Sequence, residues 1–207
     1  HTLTIGGSIF AMLTIAPLIN TGLNSISDII DISQVDEIVF LASFITAYAF
    51  GGGFGRLACI SFGCCYGREI NGLPVFLRRI FSRFNFVFTC STKKISYASG
   101  MAGVKTVPVQ AITAVLYTAS GLGSLYLFLK GFPCFSFFLS LIVTQLWRFF
   151  SEFLRADFRG AENISAYQVM SLVIIPYYII YFLFSDVYLP PEPVLSSGLV
   201  FLWNPAV

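Results

Sequence analysis

The chain has 207 residues, 57% of them hydrophobic and only 11% charged, with a mean hydropathy of +0.82. A water-soluble domain carries about 25% charged residues, so this composition excludes an ordinary soluble globule and makes a bilayer the solvent. The formal net charge of +2 is too small to imply a nucleic-acid partner, and where the charges lie says more than their sum.

Crossing about 30 Å of hydrocarbon takes about 20 apolar residues. Five segments meet or approach that length, which predicts an all-α, multi-pass membrane bundle forming a single integral domain over 1–207. The first span runs from Leu3 to Leu23, with Gly6-Gly7 near its start and Pro17 inside. A polar connection follows, holding Asp28, Asp31, Asp36 and Glu37 and no basic residue. The second span starts near Ile38 and enters GGGFGRLACISFGCCYGR, Gly51 to Arg68, where glycines are expected to break the helix.

Residues 69–106 form the one long connection, with Arg78, Arg79, Arg83, Lys93, Lys94 and Lys105 interleaved with Phe81, Phe84, Phe86, Val87 and Phe88. This mixture reads either as a basic interfacial subdomain on the membrane surface or as a solvated basic loop. The remaining spans are Pro108 to Leu129, Phe135 to Leu154, and Tyr167 to Phe184, the last with a kink expected at Pro176. The Pro190-Pro191 tail cannot stay helical, and Leu199 to Trp203 is expected to pack at the interface. The start at His1, without a basic n-region or cleavage site, reads as a chain lacking its N-terminal part rather than as a signal peptide.

Arg56 lies deep in the second apolar segment, where a charge costs a few kcal/mol and marks a candidate functional site. The bland alternative is an arginine that snorkels to the headgroups. On a continuous helix Arg56, Cys59, Gly63 and Gly67 share one face, and small residues there admit another backbone or a lipid headgroup. A phosphate at that place would meet the guanidinium and backbone N–H groups freed by unwinding at the glycines. In RFFSEFLRADFRG, Arg148, Glu152 and Arg155 form a second charged stripe at helical spacing. It reads either as charge pairing that makes burial tolerable or as a rigid grip on a phosphate or carboxylate.

Five cysteines make no extracellular disulfide pattern. The spacing of Cys59, Cys64 and Cys65 matches none of the usual zinc patterns, and His1 is the sole histidine, so neither a metal nor another cofactor is expected. A cysteine nucleophile is conceivable beside Arg56, although no obvious base accompanies it.

The string GRLACISFGCCYGR resembles the signature of the prolipoprotein diacylglyceryl transferase family. Arg56 falls on the family's essential signature arginine, and Gly67-Arg68 on its closing Gly-Arg. VPVQAI, Val107 to Ile112, is similar to the family's His-Pro-Ser-Gln-Leu-Tyr box and keeps Pro108 and Gln110. LWRFFSEFLRADFRG places Arg148 on a second essential arginine. ISAYQVMSL keeps Gln168 and Ser171 of the box opening the last helix, and Gly6-Gly7 matches a His-Gly-Gly-Leu remnant. Ile5 stands at the family's histidine, Cys59 at its asparagine, Cys64 at its glutamate, Val107 at the box histidine and Ile112 at the box tyrosine. His1 is one helical turn from Ile5 and would project from the same face.

The resemblance implies a transferase of the bacterial cytoplasmic (inner) membrane. Its lipid substrate would be phosphatidylglycerol or another anionic phospholipid, and its acceptor the lipobox cysteine of a prolipoprotein signal peptide. Arg56 and Arg148 would be catalytic, with Cys59, Gly63, Cys64, Gly67, Arg68, Gln110, Glu152 and Arg155 around the substrate. Two alternatives are a diverged member serving another acceptor and a lipid-binding protein without catalysis. The positive-inside rule would turn the 69–106 loop to the cytoplasm, whereas the resemblance implies the outer face, where basic residues grip anionic headgroups.

Overall fold

A computed structural model describes residues 5–30, 36–156 and 165–184. The elements in chain order are α1 (Ile5–Ile30), α2 (Glu37–Phe62), α3 (Val75–Phe81), β1 (Phe86–Val87), α4 (Lys94–Ser99), β2 (Lys105–Thr106), α5 (Val109–Leu129), α6 (Pro133–Leu154) and α7 (Ala166–Phe184). Five long helices thus occupy the five expected spans. Among the described residues, α2, α5 and α6 are long and apolar enough to cross a membrane, and α7 contributes a shorter apolar stretch, Gln168–Phe184. The tail from 185 onward, with Leu199 to Trp203, lies outside the described residues, as does His1.

Two boundaries differ from expectation. α1 continues through Asp28, so the acidic connection is shorter than the charges suggest. α2 is one uninterrupted helix through Gly51, Gly52, Gly53 and Gly55, which corrects the expected break and leaves no unwound N–H groups there. The glycines serve packing instead. A Cβ on Gly53 would lie 2.6 Å from Thr118 Oγ1, and one on Gly52 would lie 2.8 Å from the Tyr117 ring. Small residues let α2 and α5 approach closely, which is how helices associate where lipid removes the hydrophobic drive.

The helix ends follow local chemistry. Glu37 places an acid in the first turn of α2, favourable to the helix dipole. Gly63 closes the helix in the left-handed region at φ 63°. Pro133 opens α6 where a missing N–H costs nothing. Ser165 and Gln168 cap α7 reciprocally: Gln168 N–H donates to Ser165 Oγ at 3.3 Å, and Ser165 N–H to Gln168 Oε1 at 2.9 Å.

α2, α5 and α6 form the centre, with α7 against α6 and α1 against α7 and α2. Leu13, Leu41, Ile45, Phe137, Leu141, Ile174 and Tyr178 meet in one apolar core drawn from four of these helices. Buried hydroxyls tie the three central helices: Thr46 and Ser124 are 3.0 Å apart, and Ser124 and Ser136 2.9 Å. Exposed Leu18, Val115, Leu122, Phe135 and Leu183 lie on the outside of the bundle, where the solvent is lipid.

The 69–106 connection is folded rather than loose. A 3-10 turn at Ile70–Gly72, α3, α4 and a two-residue antiparallel ribbon pairing Phe86 with Thr106 add small β content to an otherwise helical chain. Phe81 and Phe88 are buried in it, while Val75, Phe76, Ile80 and Phe84 are exposed beside Arg78, Arg79 and Arg83.

Candidate functional site

The exits of α2 and α6 and the entrances of α5 and α7 lie at the end of the bundle that carries the 69–106 segment. A short strap joins them. Gly67 and Arg155 form an antiparallel bridge, Arg68 N–H donates to Leu154 O at 2.8 Å, and Ala156 N–H to Tyr66 O at 3.1 Å. On its other edge Val107 N–H donates to Arg68 O at 3.0 Å. Gly67 is required by this crowding, since a Cβ would lie 2.3 Å from Val107 O.

The strap corrects two expectations. Gly67 lies beyond the end of α2, so it cannot share a helical face with Arg56 and Cys59. α6 ends at Leu154, and Arg155 is extended at φ −90°, ψ 151°, so the stripe Arg148–Glu152–Arg155 stops being helical at its third member. Arg155 is buried, Glu152 and Arg148 half-buried, and exposed Arg68 donates from Nε to Arg155 O at 3.1 Å. Gly63 is also committed to the frame: its carbonyl accepts Ile95 N–H at 3.0 Å.

The two principal arginines lie at matching positions on two helices. Arg56 lies six residues before the end of α2, and Arg148 six residues before the end of α6. Both are therefore about 9 Å in from their helix ends at 1.5 Å per residue. Tyr117, eight residues into α5, reaches a comparable depth, and both arginines act electrostatically on its phenol. The Tyr117 hydroxyl donates to Thr144 O at 3.0 Å, and its ring packs edge-on against Tyr48 at 5.9 Å. Two half-buried cations from different helices thus act on one buried, hydrogen-bonded tyrosine. Such an arrangement suits a dianionic or monoanionic oxyacid held by charge-assisted hydrogen bonds.

Sequence reasoning missed Tyr117 and Tyr48. Tyr117 sits two turns beyond Gln110, on the same face of α5, and that spacing was the available signal. Gln110 itself is 1% exposed and donates from Nε2 to Cys64 O at 3.0 Å, while its Oε1 has no hydrogen-bond partner. On α6, Trp147 Nε1–H donates to Thr113 Oγ1 at 2.8 Å and fixes α6 against α5 beside Arg148.

Linear spacing points away from a metal site, yet the fold gathers three thiols. The sulfurs of Cys59, Cys64 and Cys65 lie within 4.8 Å of one another, and none is in a disulfide. Burial pushes the Cys64 thiol above its ordinary pKa, and neighbouring Cys65 adds to this against a hydrogen bond with Cys59 that lowers it. Outside the bundle, an open pocket of about 760 Å³ is lined by Glu69, Asn71, Arg78, Arg79, Ser82 and Lys105.

Phosphatidylglycerol–prolipoprotein diacylglyceryl transferase 2 of Clostridium perfringens (strain 13 / Type A) is 29% identical over 133 residues, covering 63% of this chain and 46% of that protein. The chain thus spans about half the length of this curated relative. No solved structure matches. The match to the family of prolipoprotein diacylglyceryl transferases extends over residues 5–184, from the start of α1 to the end of α7. The chain is a membrane protein and belongs to the prolipoprotein diacylglyceryl transferase family.

Proposed function

We propose that the protein transfers the diacylglyceryl group of phosphatidylglycerol to the cysteine thiol of a prolipoprotein signal peptide, in the bacterial cytoplasmic membrane. The observation that carries this reading is the placement of Arg56 and Arg148 at one depth on α2 and α6, both acting on buried Tyr117. In the reaction a carbon–sulfur bond forms at the glycerol carbon, the carbon–oxygen bond to phosphate breaks, and glycerol phosphate departs with the electron pair. The thiol proton is released. Charge accumulates on the departing phosphate, so two pre-positioned guanidinium groups in a water-poor site stabilise the transition state more than the ground state.

In this reading Arg56 and Arg148 are the catalytic cations. Cys59, Cys64, Gln110 and Glu152 line or support the headgroup site, and Gly63, Gly67, Arg68 and Arg155 hold its frame. The folded 69–106 segment, with exposed aromatics beside Arg78, Arg79 and Arg83, serves as an interfacial cover that attracts anionic lipid. The family membership and the C. perfringens relative's name support the choice of lipid and acceptor.

Complementation of a bacterial strain depleted of its own diacylglyceryl transferase tests this reading. Restored growth with thioether-lipidated lipoproteins is the expected outcome. Correctly inserted protein that co-purifies with phosphatidylglycerol but restores neither would favour lipid binding without catalysis, a reading compatible with Ile5 at the family's histidine position.

A further inference from the structure

The thiol cluster at the exit of α2 has no task in the lipid reaction that requires sulfur. Its geometry is specific. Cys59 lies in the last turn of α2, Gly63 reverses the chain in the left-handed region, and Cys64 N–H donates back to Cys59 O at 3.1 Å. Cys65 is the one non-glycine residue with positive φ among those described, at 55°. A non-glycine residue stays in that region only where the surrounding structure imposes it. Here the following residues, Tyr66 and Gly67, are fixed by pairing with Ala156 and Arg155, so the turn is held on both sides.

The result is three sulfurs within 4.8 Å of one another. Three sulfurs about 2.3 Å from a common metal centre lie about 4 Å apart, so binding would need only a modest contraction. No carboxylate or imidazole joins the group among the described residues. An all-sulfur donor set selects soft closed-shell ions and rejects magnesium, calcium and manganese. Three such donors suit the low coordination number of copper(I), whereas zinc would require a fourth ligand such as water.

We propose that Cys59, Cys64 and Cys65 form a three-thiolate site for a thiophilic closed-shell metal ion, copper(I) in preference to zinc. Binding replaces the thiol protons by metal–sulfur bonds and releases them to solvent, so affinity falls as pH falls. The ion would also relieve the mutual repulsion of three crowded thiolates. It would lock the turn that leads into the Tyr66–Arg68 strap, while Gln110 holds the same turn through the Cys64 carbonyl. The metal site shares Cys59 and Cys64 with the proposed headgroup site, and metal uptake is a readout independent of lipid transfer.

The test uses the full chain in detergent, reduced and stripped of metal, with Cys90→Ser and Cys134→Ser to remove the two cysteines outside the cluster. Copper(I) is titrated against a chromophoric copper(I) chelator, and zinc against a chromophoric zinc chelator in parallel. The expected result is one equivalent of copper(I) with an ultraviolet thiolate-to-copper band and three sulfur neighbours by X-ray absorption. One equivalent of zinc with three sulfurs and one oxygen, in place of copper binding, would retain the site but overturn the copper preference. Replacing Cys59, Cys64 or Cys65 by serine should weaken uptake at least tenfold. Should a variant misfold, protection of all three thiols from iodoacetamide by bound metal in the otherwise unaltered protein supplies the same answer. Uptake of neither ion, uptake unchanged in the Cys59→Ser protein, or a disulfide within the cluster in freshly purified protein would overturn the proposal.

Discussion

Arg68 donates from Nε to the backbone carbonyl of Arg155 at 3.1 Å, closing a contact between residues 87 positions apart. With the Gly67–Arg155 bridge, it ties the exit of α2 to the exit of α6. Arg56 and Arg148 lie on those two helices, so the strap joins the helices that carry the proposed catalytic cations. A frame of this kind matters because misplacing a charged group by about 1 Å can cost on the order of a hundredfold in rate.

Gly67→Ala tests the strap. Its new Cβ would meet the Val107 carbonyl at 2.3 Å, a backbone atom that cannot swing aside. Overpacking of this kind costs about 1–3 kcal/mol. Thermal unfolding in detergent should show a lower midpoint than the parent, while alanine at exposed Gly72, whose Cβ meets nothing within 4 Å, should leave it unchanged. Equal midpoints for both variants would refute the tight approach.

Tyr117→Phe removes the hydroxyl that donates to Thr144 O and feels the charges of Arg56 and Arg148. Loss of one buried hydrogen bond costs about 1–3 kcal/mol where a partner is left unsatisfied. The expected outcome is a folded protein with at least a tenfold lower transfer rate. Wild-type turnover in this variant would remove Tyr117 from the site.

Much of the fold is legible in the sequence because lipid imposes a simple rule: a long apolar run must be a helix. That rule places α2, α5, α6 and α7 within a few residues. It fails at the glycines, because a glycine that unwinds a helix and one that admits a neighbour look alike in one dimension. Gly52 and Gly53 proved to be of the second kind, against Tyr117 and Thr118 on α5. Arg56 and Arg148 are legible as charges in apolar surroundings. The tyrosine they share and the Gly67–Arg155 strap are not, since both depend on contacts between segments far apart in sequence. The thiol cluster was hidden for the same reason in miniature: spacing alone does not report the left-handed turns at Gly63 and Cys65.

Thiol chemistry gives a pH prediction. Cys90 is exposed and its pKa is lowered, first by a hydrogen bond with Thr92 and further by nearby Lys93; burial raises that of Cys64. The thiolate is the reactive form, so in metal-free protein Cys90 should alkylate fastest near neutral pH. Cys64 should react only as pH rises above the ordinary thiol range. The sign for stability follows: the fold favours the neutral Cys64 thiol, so its contribution is present below the unfolded thiol pKa and is lost as pH rises through the higher folded value. Mass spectrometry of iodoacetamide-labelled peptides across a pH series checks the order. Faster labelling of Cys64 at neutral pH would contradict it.

In the proposed reaction Arg56 and Arg148 together hold the lipid phosphate as it departs. The most direct measurement incubates purified protein in phosphatidylglycerol-containing membranes with a lipobox peptide, and follows both glycerol phosphate release and thioether formation on the peptide. The parent protein should produce the two in equal amounts. Arg56→Ala and Arg148→Ala should each lower both by at least a hundredfold, about 2.7 kcal/mol of lost transition-state stabilisation, while remaining inserted and folded. Undiminished release of glycerol phosphate by either variant would contradict the claim.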